Sequence, residues 1–533
     1  MKKAISILLV LVLCFSIVGC ASPAPAAPAA AEPAAAAEPA AAAQPAANVE
    51  AVADASRTDR ESIVIALQGE LTNLDHQFSS DDGNLRPISW NIFEPLVRLN
   101  GQTLEPEGVL ATEWTQVDDT TMEFKLRQGV TFHDGDTFDA DDVVYSISRV
   151  TDPEFNSQLL SSIETIDHAE KVDDYTVRVI TKQADPILVT RLAMLPIYSK
   201  SFTEARTAAE MATVANGTGP YKYVEWKSGD YCLIEAYDGY WGEAPAIKKA
   251  KFRFLEEKLT AQAALQAGEV DLAVDMIPEY VPNLPKAISQ TSNECYWIRF
   301  NQINDGTFKS KDARLAAAYA VDTKGISDAL FQGYASASDG QMGRPGYTGY
   351  SESVKAYGYD AAKAQELLAA SGYNGEEVQL TSQRERWLQF GEVTEAVASY
   401  LMAVGFNVST QFLSWNEWLE MLFDKERVPD LFASSNGNDF FDIDRPLSVC
   451  ASSKGNQSAT MPSEWDDKIA AAQSEMDPAA RQALYDEINQ HFFEDPFALY
   501  LMGVDALYGA AVDLDWEARK DTQILVSEMA YAS

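Results

Sequence analysis

Histidine and cysteine are scarce in this chain, with four histidines and five cysteines in 533 residues. His76, His133, His168 and His491 stand too far apart to read as a metal cluster or a triad. No Gly-x-Ser-x-Gly, His-Glu-x-x-His or dinucleotide-binding glycine pattern occurs either. Paired carboxylates of a glycosidase type would leave no motif in so acidic a sequence, so that enzyme class alone stays open. Positive charge is also in short supply. Lys and Arg number 41 against 80 Asp and Glu, a formal net charge of −39. Nucleic-acid phosphate would be repelled by such a surface, which excludes nucleic acid as a partner. Beyond residue 18 no apolar run is long enough to span a bilayer. What remains, 46% hydrophobic and 23% charged residues, is globular composition, and at about 150 residues per domain the length suggests roughly three units.

The N-terminus carries an address. Lys2 and Lys3 precede an apolar run from Ile5 to Val18, the order of an export signal, and the run is too short for a membrane span. It ends in Ile17-Val18-Gly19-Cys20, which resembles a bacterial lipobox and implies acylation of Cys20 and a mature chain beginning there. Two or three acyl chains, at about 0.8 kcal/mol per buried methylene, hold where one is marginal. Cys14 lies in the discarded signal, leaving Cys232, Cys295 and Cys450. An odd number in an export compartment allows at most one disulfide within the chain, and their spacing fits no metal site.

From Ala21 to about residue 57 the chain is almost wholly Ala and Pro with a few Glu, a spacer with nothing to bury. Folded structure is expected from Ser62-Ile-Val-Ile-Ala-Leu67, which reads as a first buried strand. Val172 to Ile180 places Tyr175, Val177 and Val179 on one strand face. Leu259–Ala267, closed by Gly268, reads as a helix, as do Asp360–Ser371, closed by Gly372, and Glu392–Val404, closed by Gly405. His133-Asp134-Gly135 reads as a tight turn in which the histidine is structural, followed by a helix from Asp139. Gly217-Thr-Gly-Pro-Tyr221 lacks phosphate-loop spacing, and Pro220 removes a donor, so a turn is expected there.

One dense pattern, Phe124-x-Leu126-Arg127-x-Gly129-Val130-x-Phe132-His133-Asp134-Gly135-x-x-Phe138-x-Ala140-x-Asp142-Val143-x-Tyr145-Ser146, resembles the hallmark segment of the family 5 extracellular solute-binding proteins, the dipeptide, oligopeptide and nickel group. The likeness extends in order over about residues 60 to 530. Asn91-Ile-Phe-Glu-Pro-Leu-Val97 resembles the family's first helix, and Gly217–Tyr221, Tyr240-Trp-Gly242 and Leu265–Asp271 resemble its central segments. Asp477 to Ile488, with Asp495-Pro496 and Leu499-Tyr500, resembles its closing helix and strand.

The resemblance implies an α/β fold, a two-lobed periplasmic-binding-protein clamp of type II, cluster C-like, with an additional third subdomain. It would divide the chain into a signal (1–20), a linker (21–57), lobe I (58–98, 215–302 and 506–533), subdomain II (99–214) and lobe III (303–505). It also implies site residues. Asn436-Gly-Asn-Asp439-Phe-Phe-Asp442 lies where peptide-binding relatives hold the ligand's ammonium, which makes Asp439 its expected partner, with Asn436 in a place where relatives often carry Trp. A surface carboxylate is the alternative. In Arg384-Glu385-Arg386-Trp387, Arg386, with Arg384 second, matches the arginine that grips a ligand carboxylate, a task suited to its planar fork. An ion pair with Glu385 or Glu392 is the alternative. Trp297 and Asn301, on the strand that leads back through the hinge, and Trp415 complete the set, each tryptophan as cleft wall or core.

Together these imply a binding protein rather than an enzyme, acting as a monomer with no cofactor at the outer face of the bacterial cell membrane. A small peptide or peptide-like solute would be captured and passed to ABC transporter permease subunits. An opine, a glutathione-like conjugate, an oligosaccharide and a nickel chelate stand as alternative ligands.

Overall fold

The protein is described by a computed structural model over residues 60–79 and 83–532. The signal with Cys20 and nearly all of the spacer lie outside the described residues, as does the side chain of Asn436. One 11-stranded mixed sheet carries the architecture. At its centre lie two long antiparallel strands, Lys286–Phe300 and Ala498–Ala510. On one side Ser62–Leu67 pairs in parallel with both Leu272–Ala273 and Lys249–Phe254, and Tyr231–Ala236 and Tyr221–Lys227 extend that edge antiparallel. On the other side Glu377–Gln383 pairs in parallel with both Leu431–Gly437 and Asn407–Leu413. A separate four-stranded antiparallel sheet, within residues 111–181, packs against the helix Ala140–Thr151.

Local sequence explains most of these elements. Ile63, Ile65, Ala66 and Leu67 are buried, as a strand enclosed by parallel neighbours requires. Asp139 caps the helix after the His133 turn in a reciprocal box with Asp142. The helix Ala361–Ala370 starts on the Asp360 cap, and Phe390–Val404 ends on Gly405 at φ 115°, a left-handed backbone that a β-carbon would oppose. Val177 and Val179 are fully buried on Thr176–Thr181, with Tyr175 packed against the same core. One expectation is corrected. Asn91–Val97 is not helical, because the helix here is the short Arg86–Ser89, and the chain then turns directly into the strand Val97–Leu99. Pro95 favours this extended exit, and Glu94 is buried with its carboxylate accepting from Thr218, Tyr240 and Trp241.

Buried apolar residues form three large clusters. One gathers Ile63–Phe93, Tyr198–Val274 and Tyr508–Met529; a second gathers Leu96–Ile197 with Tyr347 and Phe441; the third runs from Tyr296 to Val504. The central strands change partners within their own length. Lys286–Thr291 pairs with Ala510–Asp505, and pairing resumes only at Cys295↔Gly503, so the register breaks across Ser292–Glu294. Arg344 fixes that break, donating to the carbonyls of Ser292 and Val504 and to the Asp505 carboxylate at 2.8–3.1 Å. A β-carbon on Gly503 would lie 2.4 Å from Arg344 Nε, which accounts for the glycine. Cys232, Cys295 and Cys450 are free, and burial pushes the first two thiols up to about 12 and the third to about 11.

His133 serves the fold. Its Nδ1 accepts from the Gly217 N–H at 3.3 Å, so Nε2 carries the proton and donates to the Gly219 carbonyl at 2.9 Å. The neutral ring satisfies both bonds, and burial pushes its pKa down from 6.5 to about 4. Between those values the unfolded chain binds the proton more readily than the fold does. The ring's contribution is therefore complete above pH 6.5 and drains as pH falls towards 4, by about 2 to 3 kcal/mol. Asp142, raised by burial to about 6, acts in the opposite sense, costing stability above that pH and relieving it below. The destabilisation caused by His133→Gln is thus expected to be largest at pH 7 and to shrink by pH 4.5 in urea titrations. A constant difference would contradict this account.

Candidate binding cleft

The carboxyl ends of the parallel strands converge on one cavity of about 770 Å³. Leu67 is followed by Gln68 and Gly69, Phe254 by Glu256 and Glu257, and Ala273 by Val274 and Asp275, all of which line it. From the opposite half of the sheet, Gln383 is followed by the lining run Arg384–Gln389, and Gly437 by Asp439. Crevices beyond the carboxyl ends of parallel strands are where α/β sheets leave backbone groups and loop side chains free for a ligand. The central strands supply the floor: the register break delivers Ser292, Asn293 and Glu294, and the partner strand delivers Val504 to Tyr508. The volume suits a ligand of drug or short-peptide size.

Asp439 is placed within this cavity. One carboxylate oxygen accepts from Arg86 Nη1 at 3.1 Å and the other from Asn293 Nδ2 at 2.8 Å, while the side chain keeps 16% exposure. A carboxylate has about four acceptor positions, so these two bonds orient it and leave capacity for a further donor. The expected alternative, a plain surface carboxylate, does not describe it. Its loop is anchored from behind. Asp442, 1% exposed, takes a two-bond grip from Arg481 at 2.6 and 3.2 Å and a hydrogen bond from Tyr485 at 2.8 Å. Two residues on, Asp444 pairs with Arg191, which also holds Asp185. Phe441, at φ 51°, makes the turn between Asp439 and this anchor.

Arg384 and Arg386 both line the cavity. Arg384 is committed elsewhere, with Glu395 at 2.6 Å and the Phe412 ring 3.9 Å beneath its guanidinium. Arg386 lies 5.2 Å over Trp415. Trp415 stacks on Trp418 at 5.2 Å and meets Trp387 edge-on, which makes it a platform under Arg386 and not a residue of the cavity wall.

Trp297 and Asn301 are not brought to this cavity. Beyond Tyr296 the strand runs away from the floor into the third cluster's half, where Trp297 packs edge-on against Phe497. Asn301 is buried, donating to the Val428 carbonyl and accepting from the amides of Ile303 and Asn304. Asn436 falls opposite Cys295 in the sheet. Sequence reasoning missed Arg86, Asn293 and the acidic residues after Phe254 and Ala273. The usable signal was their position, in each acidic case just past the last residue of a parallel strand.

Three comparisons place this geometry. The profile of the bacterial extracellular solute-binding proteins, family 5 Middle, matches residues 105–458. The glutathione-binding protein of Pectobacterium atrosepticum is 28% identical over 320 residues, covering 58% of this chain; the match spans 61% of that relative's length. Heme-binding protein A of Haemophilus influenzae is 26% identical over 389 residues, covering 66% of this chain and 70% of that protein. Among solved structures, the periplasmic binding protein DppA of Helicobacter pylori in complex with the peptide STSA superposes with a TM-score of 0.74 at 22% identity, covering 89% of this chain and 98% of that one. The shared fold is the two-lobed α/β clamp of periplasmic binding proteins.

Proposed function

We propose that this chain, which belongs to the bacterial extracellular solute-binding proteins of family 5, captures a small peptide-like solute between its lobes and hands it unchanged to the permease of an ABC importer. The observation that carries this reading is the cavity itself, built from strand ends of both halves of the sheet with Asp439 and Arg386 on its lining. In this reading lobe I comprises 58–98, 215–302 and 506–533, subdomain II comprises 99–214 and lobe III comprises 303–505. Asp439 receives the ammonium of the solute, pre-oriented by Arg86 and Asn293. Arg386, braced on Trp415, receives the carboxylate as a two-bonded fork.

Asp439 and Arg386 both belong to lobe III, while Asn293 and the other lining residues of lobe I meet the ligand from the opposite side, so binding favours the closed arrangement by the difference in contact between open and closed forms. The two central strands run through both halves of the sheet, and the register break held by Arg344 is where they can bend. No step here changes the solute covalently. Native mass spectrometry of protein purified from its own envelope tests this: an excess mass of roughly a few hundred daltons should leave as an intact molecule on denaturation. A bare protein that turns over an added solute would contradict it.

The anchor belongs to the same proposal. With Cys20 acylated, the spacer tethers the clamp at the outer membrane face, and among the described residues no helix is long and apolar enough to cross a membrane. Cys20→Ala should move the protein from washed membranes to the soluble fraction. Retention of the variant on membranes would identify a different anchor.

A further inference from the structure

The cleft wall contributed by the first half of the sheet has a charge that capture of a simple zwitterion does not use. Glu256 and Glu257 follow one parallel strand, Asp275 follows another, and the strand Ser62–Leu67 lies between them. The Glu257 carbonyl accepts from the Ala261 amide, but none of the three carboxylates makes an ion pair or hydrogen bond among the described residues. Lys258 lines this wall beside them, and the same half also contributes Arg86, which pairs with Asp439. Asp275 is exposed to the cavity, sits at φ 53°, and is close enough to the floor for its charge to act on the hydroxyls of Tyr296 and Tyr508, both of which line the cavity.

A second, independent feature asks for a ligand group of a different kind. Trp90 is 1% exposed and lines the same cavity, and its indole N–H meets no acceptor. An indole nitrogen only donates, so its partner must be an acceptor, a part that a peptide carbonyl oxygen can fill. A carboxylate in a cleft with low-dielectric walls attracts a cation more strongly than the same carboxylate on an open surface.

We propose that the ligand is a peptide with a basic side chain, whose cationic end is held by Asp275 with Glu256 and Glu257 beside it and whose main-chain carbonyl accepts from Trp90. This rests on the capture reading above and adds to it a substrate class: lysine-, ornithine- or arginine-containing peptides over neutral and acidic ones. The ammonium of the peptide's own terminus remains with Asp439, so Asp275 serves a second positive charge.

Calorimetry with three tripeptides separates the ideas: Ala-Lys-Ala, the same peptide with norleucine for lysine, and Ala-Glu-Ala. Norleucine keeps the aliphatic stem and removes only the ammonium. The lysine peptide should bind at least roughly tenfold more tightly than the norleucine peptide at low salt, with the glutamate peptide weakest and the preference falling as salt rises. Asp275→Asn should bring the lysine-to-norleucine ratio within about threefold of unity, whereas Asp439→Asn should weaken both peptides and keep their ratio. Equal binding of lysine and norleucine peptides would overturn the inference and leave the capture reading in place. A preference that survives Asp275→Asn would overturn the role given to Asp275. Failure of all three peptides to bind would overturn the peptide-capture reading, and this inference with it.

Discussion

Arg481→Met is expected to lower the free energy of unfolding by about 3 to 5 kcal/mol in urea titration, because it leaves Asp442 charged, buried and without its counter-ion. Asp442 is 1% exposed and Arg481 is 4% exposed. Of the bonds that Asp442 accepts, those from Tyr485 and from the Asp444 amide survive the substitution, but neither brings a positive charge. The pair as a whole is a different matter, since replacing both partners with apolar residues removes the stranded charge along with the attraction. Asp442→Leu combined with Arg481→Met should therefore recover much of the loss, a coupling that a double-mutant cycle reads directly. Equal losses in the single and double variants would mean that packing of the arginine stem, and not the ion pair, holds this loop. Because Asp439 lies three residues before Asp442, the single variant should also weaken solute binding without touching the solute.

The second large effect concerns Asp439 itself. Asp439→Asn should weaken binding of a zwitterionic peptide by about 2 to 5 kcal/mol, roughly 30-fold or more, since the ligand ammonium then enters a desolvated site without its anion. Arg86 makes the loss deeper. It faces Asp439 at 3.1 Å, and with the carboxylate neutralised the Asp439 charge no longer offsets its guanidinium beside the place of the ammonium. Arg386→Gln should cost a similar amount by removing the fork that receives the carboxylate. Arg384→Gln should cost much less, because that arginine is already engaged by Glu395 and Phe412.

Where backbone and burial pattern decide the outcome, the sequence was legible. Ser62–Leu67 announced itself by uninterrupted apolar residues, and the helices closed by Gly372 and Gly405 announced themselves by their caps and stops. The His133 turn reads as structural, and two hydrogen bonds to the Gly217–Gly219 segment give the reason. Asn91–Val97 misled because the helix expected there rested on resemblance to the family's first helix, while Pro95 and the buried Glu94 network hold it as a turn. Asp439 and Arg386 are signalled by their motifs, and both line the cavity. Arg86 is not signalled, since it lies 353 positions from Asp439 and only the closure of the sheet brings them together. Trp297 and Asn301 show the converse: their strand does reach the cleft, but at Ser292–Tyr296, and a register break that no residue pattern marks decides which part of it forms the floor.

The central claim is that a solute with a free ammonium sits against Asp439 in the cleft. Isothermal calorimetry on a cycle of two changes tests it most directly, pairing Asp439→Asn in the protein with N-acetylation of a bound peptide. If the ammonium contacts Asp439, either change alone should remove most of the same energy, and the second should then cost little more, giving a coupling of about 2 kcal/mol or greater. Additive losses, with acetylation costing as much in the variant as in the natural protein, would contradict the claim.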